Sequence, residues 1–332
     1  MSIERDRRVT VVIITYNSGA TLGRCLDCLD AQTRRDFNVI VVDNASASRP
    51  TASLLKRPFP VSYMEMAHNL GFAGGMNIAL QAAQTPYLAA LNPDAFAASD
   101  WLEKLVKAAD RHPEIAAFGS WQRRYGDPTA IDGFGDHYLF SGQAWRGHRL
   151  PPPPPTPGPE YTFGVCAAAA LYRTEIVRAI GGFDDRYFCF YEDVDLSFRL
   201  RLAGHHCAVI RAAVVDHVGG ASFTGLSDFA ERLTARNEWW TLVKNMPFGL
   251  FVVGAAGYLA IQLISAMRSG RAARLAGVRE GLTRTGEFWR SRRDVQRQRK
   301  LSVLDLSRWL TWQPRAFLRK ESPTRSVRSI RG

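Results

Sequence analysis

The chain has 332 residues, 46% of them hydrophobic, and a formal net charge of +12. This length suits one large α/β domain or two smaller ones, and the composition excludes a disulfide-stapled miniprotein, a collagen-like chain and a wholly disordered chain. The charge is uneven, because residues 268–332 carry 18 Lys and Arg against 5 Asp and Glu, whereas the first 267 residues carry 25 against 26. The protein is therefore a near-neutral body followed by a basic tail.

The five cysteines give no disulfide framework, since their number is odd. This favours reduced thiols in a cytosolic setting. Cys25 and Cys28 form a lone C-x-x-C without a second pair or a nearby His, so they are interpreted as small core residues of a helix. No signal peptide is expected, because residues 1–8 are largely charged and the apolar run 9–14 is too short for one.

Buried strands and helices alternate through the first 91 residues. Leu22, Leu26 and Leu29 have helical spacing, and residues 71–84 predict a Gly-rich turn that feeds a helix. The alternation predicts an α/β fold with a mostly parallel sheet and helices on both faces. The strands are predicted at 9–15, 37–42, 61–64 and 87–91.

Polar residues follow three of these strands directly. Ligands of parallel α/β sheets bind beyond the carboxyl ends of the strands, so a binding site is expected there. The residues at these ends are Tyr16 and Asn17, Asp43 and Asn44, and Asn92 with Asp94.

Residues 121–162 are predicted to be a loop-rich insertion. They contain Trp121, Trp145, several Gly and five consecutive Pro at 151–155, which favour extended backbone. The insertion is interpreted either as one side of an acceptor groove or as a surface spacer.

Regular structure is expected again from residue 163 onward. Residues 173–180 predict a short helix, and a short strand is predicted at 208–210. The segment 194–202 stays open: its alternation of apolar and polar residues favours a strand, while its Leu and Arg content and Gly204 as a stop signal favour a helix.

Carboxylates and a histidine recur near the ends of these elements. Asp94 could hold a hard divalent cation, although a turn-forming Asp is the plainer interpretation. Glu192, Asp193 and Asp195 follow an aromatic cluster, where crowding raises carboxyl pKa values and suits a general base; an acidic helix start is the alternative. His217 alone is more typical of a structural His than of a ligand.

Six motifs occur in order across residues 9–222, and together they resemble the family-2 glycosyltransferases. That family consists of inverting enzymes with the GT-A fold, and the likeness is greatest to its bacterial rhamnosyltransferase-like branch. The resemblance implies a Rossmann-like, nucleotide-sugar-binding GT-A catalytic domain over 1–222 and a helical, membrane-associating region over 223–332. The motifs are VTVVIITYN, VVDNAS, NLGFAGGMN, LNPDA, GGFDDRYFCFYEDVDL and DHVGGAS.

The resemblance also implies roles for individual residues on the donor side. Thr15 and Tyr16 would contact the nucleobase, with the Tyr16 ring stacking on it, and Asp43 would hydrogen-bond the edge of the base. The other residues implied in substrate binding are Asn17, Asn69, Gly71, Phe72, Asn77, Asn92 and Glu192.

On the catalytic side, the resemblance implies that Asp193 is the base that deprotonates the acceptor hydroxyl, at the start of a helix over 193–203. Asp94 would bind Mg²⁺ or Mn²⁺ that bridges the diphosphate, and His217 would complete that metal site. The metal motif of the family is often D-x-D, whereas the first position here is Asn92. With a single carboxylate, the diphosphate would have to supply much of the metal coordination.

The apolar run 248–267 has 20 uncharged residues, just enough to span a bilayer. Arginines follow it at once, and the positive-inside rule would then put the catalytic domain of a single-span protein outside, away from nucleotide sugars. We therefore expect monotopic or peripheral attachment at the cytoplasmic face of the membrane, with the basic tail on anionic lipids. The alternative is an apolar helix packed on the catalytic domain.

The residues and the resemblance together predict a metal-dependent inverting glycosyltransferase for a cell-envelope glycan that is lipid-linked, for example through polyprenyl diphosphate, or on the cell surface. The resemblance alone implies L-rhamnose from dTDP-L-rhamnose as the sugar, and a UDP-hexose or UDP-N-acetylhexosamine is the competing donor. The Arg-rich tail would also suit a nucleic-acid-binding protein. No nucleic-acid partner is expected, however, because the tail has no recognisable nucleic-acid-binding module and the body has no net basic charge.

Overall fold

The computed structural model describes residues 7–147, 158–219, 228–269 and 272–318. The run of prolines at 151–155, the end of the last motif at 220–222 and the final residues 319–332 lie outside the described residues. The boundary expected between residues 222 and 223 also falls outside them.

Eleven strands and twelve helices occur in the described ranges. The strands are β1 (Val9–Thr15), β2 (Phe37–Asp43), β3 (Val61–Glu65), β4 (Tyr87–Leu91), β5 (Ala95–Ala97), β6 (Ile115–Arg124), β7 (Asp127–Tyr138), β8 (Ala144–Gly147), β9 (Glu160–Thr162), β10 (Ala169–Arg173) and β11 (His206–His217). The helices are α1 (Gly19–Asp30), α2 (Ala52–Leu55), α3 (Gly71–Ala82), α4 (Trp101–Arg111), α5 (Thr174–Ala179), α6 (Glu192–Leu202), α7 (Asp228–Asn245), α8 (Phe248–Ser269), α9 (Ala272–Thr283), α10 (Thr285–Arg297), α11 (Val303–Trp309) and α12 (Pro314–Leu318).

The sheet is mixed, and its parallel part is the one that the sequence predicts. Strands β3, β2, β1 and β4 lie side by side and parallel, and β6 and β11 form a second parallel pair. Strand β10 lies antiparallel between β4 and β6, and β5 pairs antiparallel with β11. A short turn can join antiparallel neighbours, as it joins β6 to β7, whereas parallel neighbours need a longer crossover.

Helices cover both faces of the sheet because successive apolar side chains along its central strands point to opposite faces. Val11 and Ile13 of β1 pack in a cluster with α1 and α4, while Val12 packs on the other face in a cluster with α3, α5 and α6. Cys25 is buried in the first cluster as a core residue of α1, as predicted, and all five cysteines are free.

The segment 194–202 is a helix and makes up all of α6 except its first two residues. Every residue of it is buried. A helix that is buried on all sides has no polar face, so the 3.6-residue periodicity that would identify it is absent. This explains why the alternation of apolar and polar residues misleads at this place.

The prediction that residues 121–162 are loop-rich is wrong for the described part of that segment. Most of it is strand, from the end of β6 through β7 and β8 to β9. Two of its glycines lie in close contacts within β7: a Cβ at Gly133 would lie 2.8 Å from the Arg146 side chain, and Gly135 has φ +63° against Thr162. Small residues are needed there for packing, not for a turn.

Helices α7–α11 share a hydrophobic core with the body of the chain. Trp240 of α7 and Phe288 of α10 stack with ring centroids 4.3 Å apart, and both rings pack on Tyr187. Phe198 of α6 belongs to the same cluster. The C-terminal helices therefore pack directly behind α6, the element that begins with Glu192 and Asp193.

Candidate active site

The carboxyl ends of β1 and β2 lie in register, with Thr15 opposite Asp43. Thr15 is buried, and its carbonyl accepts a hydrogen bond from the Asn44 amide at 2.9 Å. Tyr16, the next residue, is 50% exposed. An exposed ring at the end of a buried parallel strand is available to a ligand at that edge of the sheet.

Asp43 is 1% exposed and already has several donors. Its Oδ1 accepts from the Ser46 amide at 3.0 Å and the Ser46 hydroxyl at 2.5 Å, and its Oδ2 accepts from the Tyr63 hydroxyl at 2.5 Å. Burial and this last hydrogen bond raise the pKa of Tyr63. Asp43 thus shapes the loop after β2, and only its remaining lone pairs are available to a ligand.

Asn17 joins the loops after β1 and β2. It has φ +53°, its amide donates to Ser46 Oγ at 2.8 Å, and its side-chain oxygen accepts from the Ala47 amide at 2.8 Å. The left-handed conformation is one that Asn tolerates better than most residues. This placement makes Asn17 a support of the loop pair next to Tyr16.

Gly71 brings the glycine-rich turn against the loop before α6. Its φ is +72°, and a Cβ at this position would overlap the Phe188 carbonyl oxygen. The Gly71 amide donates to Asn69 Oδ1 at 2.8 Å, and its carbonyl accepts from Asn44 Nδ2 at 2.9 Å. Only glycine fits both the conformation and the close approach. Asn44, which the sequence places at the end of β2 without a specific role, links β2 to this turn.

Phe72 and Asn77 face the segment that precedes the acidic motif. Phe72 meets Phe183 edge-on with ring centroids 6.2 Å apart. The Asn77 side chain donates to the Phe183 carbonyl at 2.7 Å and accepts from the Phe183 amide at 2.9 Å. Both ends of the Asn77 amide are thus used to hold α3 to residue 183.

Asp94 and His217 meet because β5 pairs with the end of β11. His217 lies opposite Ala95 in that pair, and its Nε2 is 3.4 Å from Asp94 Oδ1. Asp94 and His217 are 6% and 5% exposed. Asn92 is tied nearby by its amide, which donates to the Ala168 carbonyl at 2.8 Å. The two residues proposed as metal ligands are therefore neighbours, although 123 positions separate them in sequence.

His217 is held by a second carboxylate that the sequence did not single out. Its Nδ1 lies 2.9 Å from Asp132 Oδ2. Burial alone would lower the pKa of His217, but the hydrogen bond to Asp132 and the nearby carboxylate of Asp94 outweigh it and raise the pKa. An imidazole beside two carboxylates in a buried site attracts positive charge, either a proton or a cation.

The pair Asp94 and His217 fits a small divalent cation. Two ligands at about 2.1 Å from an octahedral Mg²⁺ lie about 3.0 Å apart, so a separation of 3.4 Å needs little adjustment. His217 Nε2 makes no hydrogen bond to another described residue. No cluster of three or more His, Cys, Asp or Glu side chains in the described ranges is arranged to hold a metal, so oxygens of a ligand would have to complete the coordination.

Asp193 begins α6, beside the short segment that follows Gly164. Its Oδ2 accepts from the Ala167 amide at 3.0 Å, and the neighbouring Ala168 carbonyl accepts from Asn92. Residues 166–168 therefore touch Asp193 on one side and the end of β4 on the other. These three residues, called the floor segment below, connect Asp193 to Asn92, which lies two positions before Asp94.

Two further carboxylates surround Asp193. Burial, and after it the charge of Asp193, raises the pKa of Glu192 well above its usual value and raises that of Asp136 to about 7. Glu192 Oε2 and Asp136 Oδ2 are buried without hydrogen-bond partners among the described residues. Asp193 is thus the most accessible of the three carboxylates, and its neighbours Glu192 and Asp136 resist ionisation.

Asp195, the third carboxylate of the acidic motif, is fully buried and structural. It accepts hydrogen bonds from Arg199 Nε at 2.8 Å, Lys244 Nζ at 2.9 Å and Asn245 Nδ2 at 2.8 Å. Burial disfavours its charge, but Arg199 and Lys244 outweigh this effect and lower the pKa of Asp195. It fastens α6 to α7.

Asp132, Asp136 and Arg146 are the site residues that sequence reasoning missed. They lie on β7 and β8, inside the segment predicted to be loop-rich. The four-residue separation of Asp132 and Asp136 places both on one face of a regular strand, and this spacing is the signal that could have found them.

A family profile described as Glycosyl transferase family 2 matches residues 10–181, just over half of the chain. The chain is similar to the N-acetylglucosaminyl-diphospho-decaprenol L-rhamnosyltransferase of Mycobacterium tuberculosis, at 29% identity over 235 residues that cover 62% of this chain and 75% of the relative. It is also 29% identical over 206 residues to the galactofuranosyltransferase GlfT1 of the same organism, covering 59% of this chain and 65% of that one.

Among solved structures, GalNAc-T7 with UDP, GalNAc and Mn²⁺ aligns with a TM-score of 0.60 at 14% identity, over 85% of this chain and 56% of the other. At this identity the likeness shows the fold alone. The predicted α/β fold of the GT-A type is confirmed by this structural neighbour together with the family match.

Proposed function

The chain belongs to glycosyl transferase family 2, and from this premise we propose that it moves a sugar from a nucleotide-sugar donor to a hydroxyl of a lipid-linked or cell-surface glycan, with inversion at the anomeric carbon. One observation carries the proposal. The exposed Tyr16 at the end of β1, the Asp94–His217 pair and Asp193 are joined through one sheet edge and one short backbone segment.

The chemistry requires charge control at two places. The nucleoside diphosphate that leaves gains negative charge, and the acceptor hydroxyl loses a proton as the new bond forms. Asp193 takes that proton, because it is the carboxylate beside the floor segment that is not fully buried. Glu192 and Asp136 limit the charge nearby by resisting ionisation.

Asp94 and His217 would hold Mg²⁺ or Mn²⁺, which neutralises charge on the diphosphate when bound. The 3.4 Å separation of their ligand atoms and the carboxylate behind His217 support this assignment. A structural neighbour was crystallised with UDP and Mn²⁺, which agrees with it.

L-Rhamnose from dTDP-L-rhamnose is the donor that we favour. The support is the name of a relative, an L-rhamnosyltransferase acting on a decaprenol-linked N-acetylglucosamine, at 29% identity. A UDP-hexose or UDP-N-acetylhexosamine is the alternative, because another relative of equal identity is a galactofuranosyltransferase.

A donor panel tests this part of the proposal. Purified protein is incubated with a polyprenyl-diphosphate-linked N-acetylglucosamine acceptor and one donor at a time, and release of nucleoside diphosphate is measured with and without Mn²⁺. Release from dTDP-L-rhamnose alone supports the rhamnosyl assignment. Release from a UDP-sugar alone supports the alternative, and no acceptor-dependent release from any donor contradicts the proposed transfer.

We also propose that α8 attaches the enzyme to the cytoplasmic face of the cell membrane. Its segment Phe248–Ser265 has a mean hydropathy of 1.8, and 17% of it is buried. Large apolar side chains face solvent along its length, at Phe248, Val252, Val253, Leu259, Leu263 and Ile264. A face of this kind with no polar residue suits the interfacial region of a bilayer.

The buried side of α8 favours an in-plane helix over a span. Tyr258 donates to the Ala235 carbonyl of α7 at 2.8 Å, and Gln262 Nε2 lies 3.3 Å from Glu238 Oε2. Gly254 lies against the Phe140 carbonyl. A spanning helix would have to leave these contacts, whereas a helix lying in the interface keeps them.

Basic residues accompany this apolar face. Trp289 of α10 packs against Phe248 and Phe251 of α8, and its neighbours Arg290 and Arg293 are exposed. This arrangement matches a surface of anionic head groups above acyl chains.

Vesicle flotation tests the attachment. Leu259→Glu with Leu263→Glu places two charges on the exposed face of α8, and binding to vesicles that contain anionic lipid should be lost. Leu259→Ala with Leu263→Ala is the control, which keeps the face apolar and should retain part of the binding. Equal flotation of all three proteins, or equal binding to neutral and anionic vesicles, would contradict the proposal.

A further inference from the structure

His217 is held between two carboxylates by different ring nitrogens. Nδ1 is 2.9 Å from Asp132 Oδ2, and Nε2 is 3.4 Å from Asp94 Oδ1. The ring is 5% exposed, so water does not compete for these positions. Of the two contacts, only the one to Asp132 has hydrogen-bond geometry.

Asp132 is in turn fixed by the β7–β8 hairpin. Arg146 Nη1 of β8 lies 3.0 Å from the same Oδ2, and Gln122 Oε1 of β6 accepts from that nitrogen at 3.5 Å. The guanidinium forms an ion pair with the Asp132 carboxylate and holds it in place. An ionised carboxylate can only accept hydrogen bonds, so the proton between it and the ring must be carried by Nδ1.

We propose that Asp132 is a positioning residue that holds the neutral His217 ring as its Nδ1–H tautomer, so that the Nε2 lone pair is directed to the space beside Asp94. A histidine that ligates a metal is usually oriented in this way by a carboxylate on its other nitrogen. The inference rests on the proposed metal-dependent function and deepens it. It also assigns a role in the site to part of the 121–162 segment, because the β7–β8 hairpin supplies both Asp132 and Arg146.

Two measurements test the role of Asp132. The tautomer of His217 is determined by ¹⁵N NMR of histidine-labelled protein in alkaline buffer without metal, with the signal assigned from His217→Gln. The affinity for Mn²⁺, alone and with UDP or dTDP present, is determined by electron paramagnetic resonance of free Mn²⁺. Both are made on wild type, Asp132→Asn and Asp216→Asn.

Asp216→Asn is the matched control. Asp216 is the neighbour of His217 on β11, but its side chain points to the opposite face and pairs with Arg123 at 2.7 Å. The variant removes the same charge at a similar place without touching the ring. It therefore separates loss of the hydrogen bond from loss of local negative charge.

Wild type should show the Nδ1–H tautomer, and Asp132→Asn should shift it towards Nε2–H and weaken Mn²⁺ binding by about 10- to 100-fold. The Asp216→Asn variant should keep the tautomer and lose much less affinity. An Nε2–H tautomer in wild type, which needs no variant to be folded, would overturn the inference. So would Mn²⁺ affinities that are equal in the two variants, whereas wild type without Mn²⁺ binding would overturn the metal site itself.

Discussion

Replacing Asp193 by Asn should abolish turnover and leave donor binding intact. The variant keeps the size of the side chain, and its amide oxygen can still accept from the Ala167 amide, now at 3.0 Å from the carboxylate. The floor segment, residues 166–168, should therefore keep its contacts with residue 193 and with Asn92. What is lost is the ability to take the proton of the acceptor hydroxyl.

The magnitude follows from the neighbouring carboxylates. A general base contributes about 10²- to 10⁴-fold to a rate, and we expect a loss in the upper half of this range because no neighbour can substitute. Burial, the larger cause, keeps the pKa of Glu192 high even without the charge of Asp193. Asp195 is occupied by Arg199, Lys244 and Asn245.

The assay measures acceptor-dependent release of nucleoside diphosphate, together with donor binding by calorimetry. Asp185→Asn is the control, because Asp185 lies in the same motif, is exposed and loses the same charge. It should turn over at close to the wild-type rate. A rate for Asp193→Asn within about tenfold of wild type would refute its role as the base, given the size of general-base effects.

Three further predictions concern the support of the site. Gly71→Ala should lower the free energy of unfolding in urea by about 2–4 kcal/mol, because it combines a φ of +72° with an overlap at the Phe188 carbonyl; a loss below about 0.5 kcal/mol would contradict this. The raised pKa of Asp136, about 7, means that the folded state holds the carboxyl proton more tightly than the unfolded state. The free energy of unfolding should therefore fall by up to about 4 kcal/mol as the pH rises from about 4 to 7. Urea titrations should show a flatter pH dependence for Asp136→Asn than for wild type, and parallel curves would contradict this prediction. Asn237→Ala should lower kcat without unfolding the protein, because Asn237 Nδ2 lies within 3.2 Å of the Tyr187, Cys189 and Phe190 carbonyls in the loop before Asp193. An unchanged kcat would show that this loop keeps its position without the Asn237 amide.

The predictable part of the molecule is the part where local pattern and position along the chain determine structure. Continuous apolar runs identify β1, β2 and β4, and the rule that ligands bind beyond parallel strands locates Tyr16 and Asp94. The glycine turn is predictable for the same reason, since its residues act within a few positions of each other. The helical state of 194–202 is decided instead by burial on all sides, which a single sequence pattern does not carry.

The missed part depends on long-range pairing. Asp132 meets His217 across 85 positions, and this contact exists only because β7 folds back on β6 while β11 runs parallel to β6. Strand β7 was not predicted because Gly133 and Gly135 are residues typical of turns. The local pattern does not indicate that these glycines allow the side chains of Arg146 and Thr162 to pack against β7.

The C-terminal helices contact the loop before Asp193 in addition to carrying the proposed membrane surface. Phe188, Phe190 and Tyr191, just before Asp193, all have positive φ, which costs about 1–2 kcal/mol for each such residue. Asn237 and the rest of α7 offset that strain by satisfying the carbonyls of the loop.

Glu238, next to Asn237, connects this loop to the apolar helix. Its carboxylate lies 3.4 Å from the Tyr191 hydroxyl, 3.3 Å from Gln262 Nε2 of α8 and 2.8 Å from Arg274 Nη2 of α9. The helix that we assign to the lipid surface and Tyr191, the residue just before α6, therefore share one buried carboxylate. Because a buried charge is costly unless all its partners stay in place, α8 cannot leave the body of the protein without disturbing the loop that positions Asp193. This is the physical reason why an attachment that keeps α8 on the protein suits the enzyme better than a span that removes it.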